Sequence, residues 1–182
     1  MNESTNYTEY AVRQKAEGKY LARRVLLILL YVAFGLGYFG FFTIGPIRIT
    51  PMIAILPIFE WMLIFFTWRY ASVEHEYQMA SGTITFTDVY GNRTRKKKLE
   101  CTIKNMVKIA PATNEYKEDA AGADARHTYD FRSSRNAPDA YFFTIRDKND
   151  EKCVVYFEAT AKALKIFRFY NPSATVVSQV RF

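Results

Sequence analysis

The chain has 182 residues, with 25 Lys and Arg against 18 Asp and Glu, for a formal charge of +7. Hydrophobic residues make up 49% and aromatics 16%, too much apolar content for a disordered or collagen-like chain. Two cysteines are too few for a disulfide scaffold or a zinc cluster.

Residues 1–24 read as a basic cytoplasmic segment carrying Arg13, Lys15, Lys19, Arg23 and Arg24. Val25 to Ile44 follows as 20 residues without a charge, and Thr50 to Trp68 is nearly as long with one carboxylate, Glu60. About 20 apolar helical residues cross a hydrocarbon core of about 30 Å. Gly45-Pro46 between the runs breaks the helix, so residues 25–70 are predicted to form a transmembrane helical hairpin. No small-residue cleavage site follows the first run, which excludes a cleaved signal peptide. Cations cluster before the first span and after the second, while the turn holds only Arg48. The positive-inside rule then places both termini in the cytoplasm of a multi-pass cell-membrane protein.

Gly35, Gly37 and Gly40 match the spacing G-x-G-x-x-G, but they lack the preceding strand that a dinucleotide site needs. Ala33, Gly37 and Gly40 instead form a small-residue helix face that allows close packing. Its nearest partner is the second span, and a homo-oligomer is the alternative. Glu60 lies roughly 15 Å from the turn by helical rise, near mid-bilayer. A carboxyl there is either neutral and satisfied by Tyr31, Tyr38 or a backbone carbonyl, or it is an ion-handling site or a contact to another membrane protein. Pro57, one turn earlier, is expected to kink the helix.

Period-two patterning begins at Val73, and residues 73–182 read as one cytoplasmic domain. Predicted strands are 74–79, 83–89 after a Ser81-Gly82 turn, 93–99 after Tyr90-Gly91-Asn92, and 101–109, ended by Pro111. A long polar loop, 112–138, follows, with a short strand at 129–131. Strands 140–146 and 152–158 form a second hairpin around residues 147–150. Thr160 is a predicted N-cap. The helix after it buries Ala163, Leu164, Phe167 and Tyr170, exposes Lys162, Lys165 and Arg168, and stops at Asn171-Pro172. The tail has β character without an evident partner. The predicted fold class is an α+β membrane protein. An N-terminal two-helix transmembrane hairpin precedes a C-terminal pleckstrin-homology-like (PH-like) antiparallel β-barrel or sandwich, capped by one helix.

Residues 72–77 (SVEHEY), the basic run 93–98, Asp130-Phe131-Arg132-Ser133-Ser134, and Phe157-Glu158-Ala159 before the helix ending Tyr170-Asn171-Pro172 carry a resemblance. The chain is similar nearly end to end to an uncharacterised bacterial two-span membrane-protein family with a bacterial PH-like domain. That family often has Pro where this chain has Ala159. The resemblance implies architecture and supplies no catalytic residue.

Arg93, Arg95, Lys96, Lys97 and Lys98 are the candidate lipid-surface residues. A domain tethered to the inner leaflet meets anionic headgroups, each nearby cation contributing about 1 kcal/mol. The competing role is a charged edge strand that discourages pairing with other chains. His75 and His127 lack further ligands at metal spacing, and Cys101 and Cys153 read as buried small residues. No metal, no cofactor, no enzymatic activity and no nucleic-acid partner is expected. The expected function is a non-enzymatic integral membrane protein whose PH-like domain binds the inner-leaflet surface or a protein partner. The alternative is an accessory subunit of a transporter or channel complex, contacting its partner through the hairpin.

Overall fold

In a computed structural model the described residues are 6–45, 50–91, 93–121, 127–146 and 150–178. The predicted turn residues 46–49, Asn92, 147–149 and the last four residues lie outside them. The chain divides into two compact units. One comprises Met1–Gln14, Glu74–Val89 and Arg95–Phe182, the other Lys15–Val73 with Tyr90–Thr94.

The first unit holds two four-stranded sheets. In one, β1 (Tyr7–Arg13), β2 (Val73–Ala80), β3 (Thr83–Tyr90) and β4 (Thr94–Thr102) lie in chain order. The strand β1 corrects the expectation of a plain basic segment before the first span. It pairs antiparallel with β2 from Tyr7 opposite Ala80 to Arg13 opposite Glu74. Its alternation explains the pairing. Thr8, Tyr10 and Val12 turn inward, while Tyr7 and Glu9 face outward. The domain expected to follow the helices is therefore interrupted by them. Ser81 and Gly82 have φ of 51° and 81°, as the two centre residues of a tight hairpin turn require. A Cβ on Gly82 would also come within 2.9 Å of the Tyr170 ring.

The second sheet has the order β5 (Lys108–Pro111), β7 (Ala140–Arg146), β8 (Lys152–Glu158), β6 (Thr128–Asp130). The predicted strand 101–109 is split between the sheets. Cys101 and Thr102 end β4, a 3₁₀ turn at Ile103–Asn105 makes the corner, and β5 starts at Lys108. The buried Asn171 side chain holds that corner, donating to the carbonyls of Ile103 (3.0 Å) and Met106 (2.8 Å). The barrel is not closed, and one pair departs from the antiparallel expectation: β6 runs parallel to β8. The tail finds a partner after all. The Ile109 amide donates to the Ala174 carbonyl and the Val176 amide to the Ile109 carbonyl, both at 2.8 Å.

Helix α5 (Ala161–Tyr170) begins as its sequence predicts, the Thr160 hydroxyl accepting from the Ala163 amide at 3.2 Å. Its buried residues Leu164, Ile166 and Phe167 close a core that joins both sheets, with Tyr77, Ile84 and Phe86 from one and Phe143, Val155 and Phe157 from the other. The polar loop is only partly a loop. A 3₁₀ turn (Asn114–Tyr116) and α4 (Lys117–Ala120) lay Tyr116 and Ala120 over Phe142 and Tyr156 on the outer side of the second sheet. Phe131 stacks on Phe86 at 4.5 Å between ring centres.

In the second unit, α1 spans Gly18–Thr43. The second run is interrupted: α2 (Thr50–Ile53) stops short, and α3 (Leu56–Thr67) continues into a 3₁₀ turn, Trp68–Ala71. Pro57 sits in the first turn of α3, where its missing N–H costs least, so the break falls just ahead of it. Both helices, Gly18–Thr43 and Pro51–Ala71, are long and apolar enough to cross a membrane. Arg24 donates to the Ala71 carbonyl at 3.0 Å and Arg23 to that of Tyr70 at 3.3 Å, satisfying carbonyls that a helix end leaves open.

Candidate functional site

The basic run lies on β4, an edge strand of its sheet, and residues 94–98 are all exposed. Its cations are largely answered at home. Arg95 pairs with Glu76 at 3.3 Å, Lys98 with Asp88 at 3.3 Å, and Lys97 with Glu100. Arg93 belongs to the helical unit, with its guanidinium 4.5 Å from the centre of the Phe65 ring. Lys96 makes no ion pair among the described residues. Arg95 and Lys98 reach acids on opposite faces of the sheet, so the run does not offer one flat cationic surface.

Within the helical unit, the stripe Ala33, Gly37 and Gly40 does not meet the second helix. Ala33 and Gly37 are exposed, and a Cβ added to Gly37 or Gly40 would touch nothing within 4 Å. The contact runs instead along Tyr31, Gly35 and Tyr38, the same i, i+4, i+7 spacing displaced by two residues, which turns it to the far side of the helix. Gly35 leaves room for the Glu60 carboxylate, which lies 3.2 Å from where its Cβ would be. Neither of the phenols expected to satisfy this carboxyl bonds it. Tyr31 bonds Thr67 at 2.6 Å and Tyr38 donates to the Met52 carbonyl at 3.1 Å. Glu60 is half-exposed and makes no hydrogen bond within the chain among the described residues.

A polar cluster that sequence reasoning missed lies inside the first unit. His75 and Asp88 are buried, and His75 Nδ1 meets Asp88 at 2.8 Å while Nε2 meets the Gln14 side-chain oxygen at 2.9 Å. Glu74 and Glu76 point away from this histidine on the other face of β2, as strand alternation requires. Burial alone would raise the Asp88 carboxyl, but the His75 hydrogen bond and the Lys98 ammonium outweigh it and hold it below the usual range. A depressed carboxyl gives stability that is present above its unfolded value near 3.8 and lost as the pH falls through the folded one. Asp88→Asn is therefore expected to cost about 1–3 kcal/mol at neutral pH and to make the acid limb shallower. Denaturant unfolding between pH 7 and 2 checks this, and parallel acid limbs for the two proteins would contradict it. Asp130 behaves alike: burial pushes its carboxyl up, and the Arg132 hydrogen bonds (2.7 and 2.8 Å) bring it down.

Arg132 also stacks over Tyr156 at 4.5 Å and borders a cleft of about 220 Å³ with Tyr116, Lys117, Phe142 and Ala120. All donor nitrogens of this guanidinium are engaged by Asp130 and the Arg135 carbonyl. Cys101 is buried, and burial pushes its thiol up to about 12, far from a nucleophile's range. Among the described residues no cluster of three or more His, Cys, Asp or Glu could hold a metal ion.

The family model described as a bacterial PH-like domain (DUF6106) matches residues 4–177. That range takes in β1, both apolar helices and α5, so the unit is nearly the whole chain and not residues 73–182 alone. No curated protein and no solved structure matches the chain.

Proposed function

Because the chain belongs to this bacterial PH-like family, whose description names a fold and no activity, we propose that it is a non-catalytic module anchored in the cell membrane. The helical pair crosses the bilayer, both termini lie in the cytoplasm, and the PH-like domain works beside the inner leaflet on headgroups or on a protein partner. One observation carries the reading. The two apolar helices keep their side chains outward, with almost none of their apolar stretches buried inside the protein. Leu26, Leu36, Ile58 and Trp61 are each more than 60% exposed. Water would penalise that surface by about 25 cal/mol per Å², and lipid would not. The cations flanking the helices supply the orientation.

Glu60 supports a second reading, an accessory subunit of a membrane complex. An intramembrane carboxyl without a partner among the described residues of its own chain calls for one elsewhere. A single experiment addresses both. After cell breakage the full chain should stay in the membrane pellet through an alkaline carbonate wash and leave it only with detergent. Recovery in the supernatant would overturn the anchor. In the detergent extract, a co-purifying membrane protein lost in Glu60→Gln would support the second reading, and its absence from both forms would remove it.

A further inference from the structure

The charges of the first unit are unevenly compensated. Along β4 most cations face a carboxylate. After Glu158 the sequence contains no acid at all, while Lys162, Lys165, Arg168 and Arg181 supply more than half of the net +7. Three of these four lie on α5, and none of the three makes an ion pair or hydrogen bond among the described residues. Helical periodicity puts them together. Lys162, Lys165 and Arg168 are exposed on the face opposite Leu164 and Phe167.

On that same face stands Phe169, one turn beyond Lys165 and two beyond Lys162. It is 55% exposed although four neighbours on the helix are buried. The core does not need it, and water does not favour it. A benzyl side chain bordered by unpaired cations suits the boundary between headgroups and acyl chains: the ring enters and the cations meet phosphates.

We propose that the exposed face of α5, Lys162, Lys165, Arg168 and Phe169, is the surface through which the PH-like domain docks on anionic lipid. This rests on the membrane-anchored reading and replaces β4 by α5 as the docking element. An acidic protein offers the charge but gives no reason for the exposed ring. The tether by the apolar helices also keeps a bilayer at high effective concentration, so modest contacts suffice.

The test uses the full chain in nanodiscs of phosphatidylcholine alone or mixed with phosphatidylglycerol. Phe169→Cys carries an environment-sensitive dye, which it takes selectively because Cys101 and Cys153 are buried. On anionic discs the dye should shift to the blue and be quenched by spin-labelled lipid. Neither effect is expected on neutral discs or in high salt. Replacing Lys162, Lys165 and Arg168 by Gln should move the docking equilibrium roughly a hundredfold, about fivefold per charge. Replacing Lys96 and Lys97 by Gln should change it little.

A dye that stays in water on anionic discs overturns the proposal, as does quenching that survives the triple replacement. A dye shielded only by added polyglutamate would give this face to an acidic protein and equally overturn it. Co-elution of protein with disc lipid reports the anchor separately. A chain that does not enter the discs defeats the anchored reading itself, whereas one that enters with a water-exposed dye defeats only the α5 surface.

Discussion

A fragment of residues 73–182 is expected not to fold, whereas residues 6–14 joined to 74–178 by a short glycine-rich turn should give a cooperatively folded domain. The reason is β1. Its seven residues cover the open edge of β2, and Arg13 lies directly opposite Glu74. The two chain ends left by excising the helices are therefore already neighbours, in the geometry of a hairpin waiting for its turn. Tyr10 packs against Tyr77 with tilted rings whose centres are 4.8 Å apart, and donates to the Glu158 carbonyl at 2.8 Å. Removing one buried aromatic ring costs about 3–5 kcal/mol, and the fragment also loses Val12, Thr8 and the strand's backbone pairing. A domain holds only about 5–15 kcal/mol in total. Denaturant titration with a near-ultraviolet signal reads the result. A sharp transition in the 73–182 fragment, equal to that of the joined form, would refute the discontinuous domain.

Phe157→Ala should destabilise the first unit by about 3–5 kcal/mol, the largest effect expected of a single replacement. Phe157 is fully buried, and its ring lies 5.5 Å from Phe167, 5.7 Å from Phe143 and 6.3 Å from both Phe86 and Tyr141. It therefore touches both sheets and α5 at once, so no single element can close over the cavity. Phe169→Ala on the same helix provides the contrast. Its ring is exposed, and the change should stay within about 0.5 kcal/mol. Unfolding midpoints of the two variants measured side by side decide the matter, and equal losses would mean that the core is not centred on Phe157.

Where local chemistry decides the structure, the sequence is readable. Thr160 caps α5, Asn171-Pro172 ends it, Ser81-Gly82 turns β2 into β3, and β7 and β8 fall on residues 140–146 and 152–158 as alternation predicts. Elements whose meaning depends on distant partners are not readable. The alternating Thr8, Tyr10 and Val12 are a strand signal in the basic leader, but the strand they pair with begins some sixty residues later, beyond the apolar helices. The corner at Ile103 is invisible because Asn171, which fixes it, is 68 residues away. Loop residues Tyr116 and Ala120 look ordinary until Phe142 and Tyr156 are found beneath them.

The candidate sites divide in the same way. Spacing found a small-residue stripe on α1 but could not say which way the helix turns, and Tyr31, Gly35 and Tyr38 face the second helix instead. The density of Lys and Arg in β4 was plain, and its neutralisation by Glu76 and Asp88 from neighbouring strands was not. The His75–Asp88–Gln14 cluster joins three separate segments and leaves no linear signature.

The tail's pairing with β5 bears on how copies of this protein meet one another. Both backbone groups of Ile109 are committed to Ala174 and Val176 of the same chain, so neither is left to recruit a foreign strand. A strand approaching β5 at Ile109 therefore meets residues 174–176 of the same chain instead of open backbone groups.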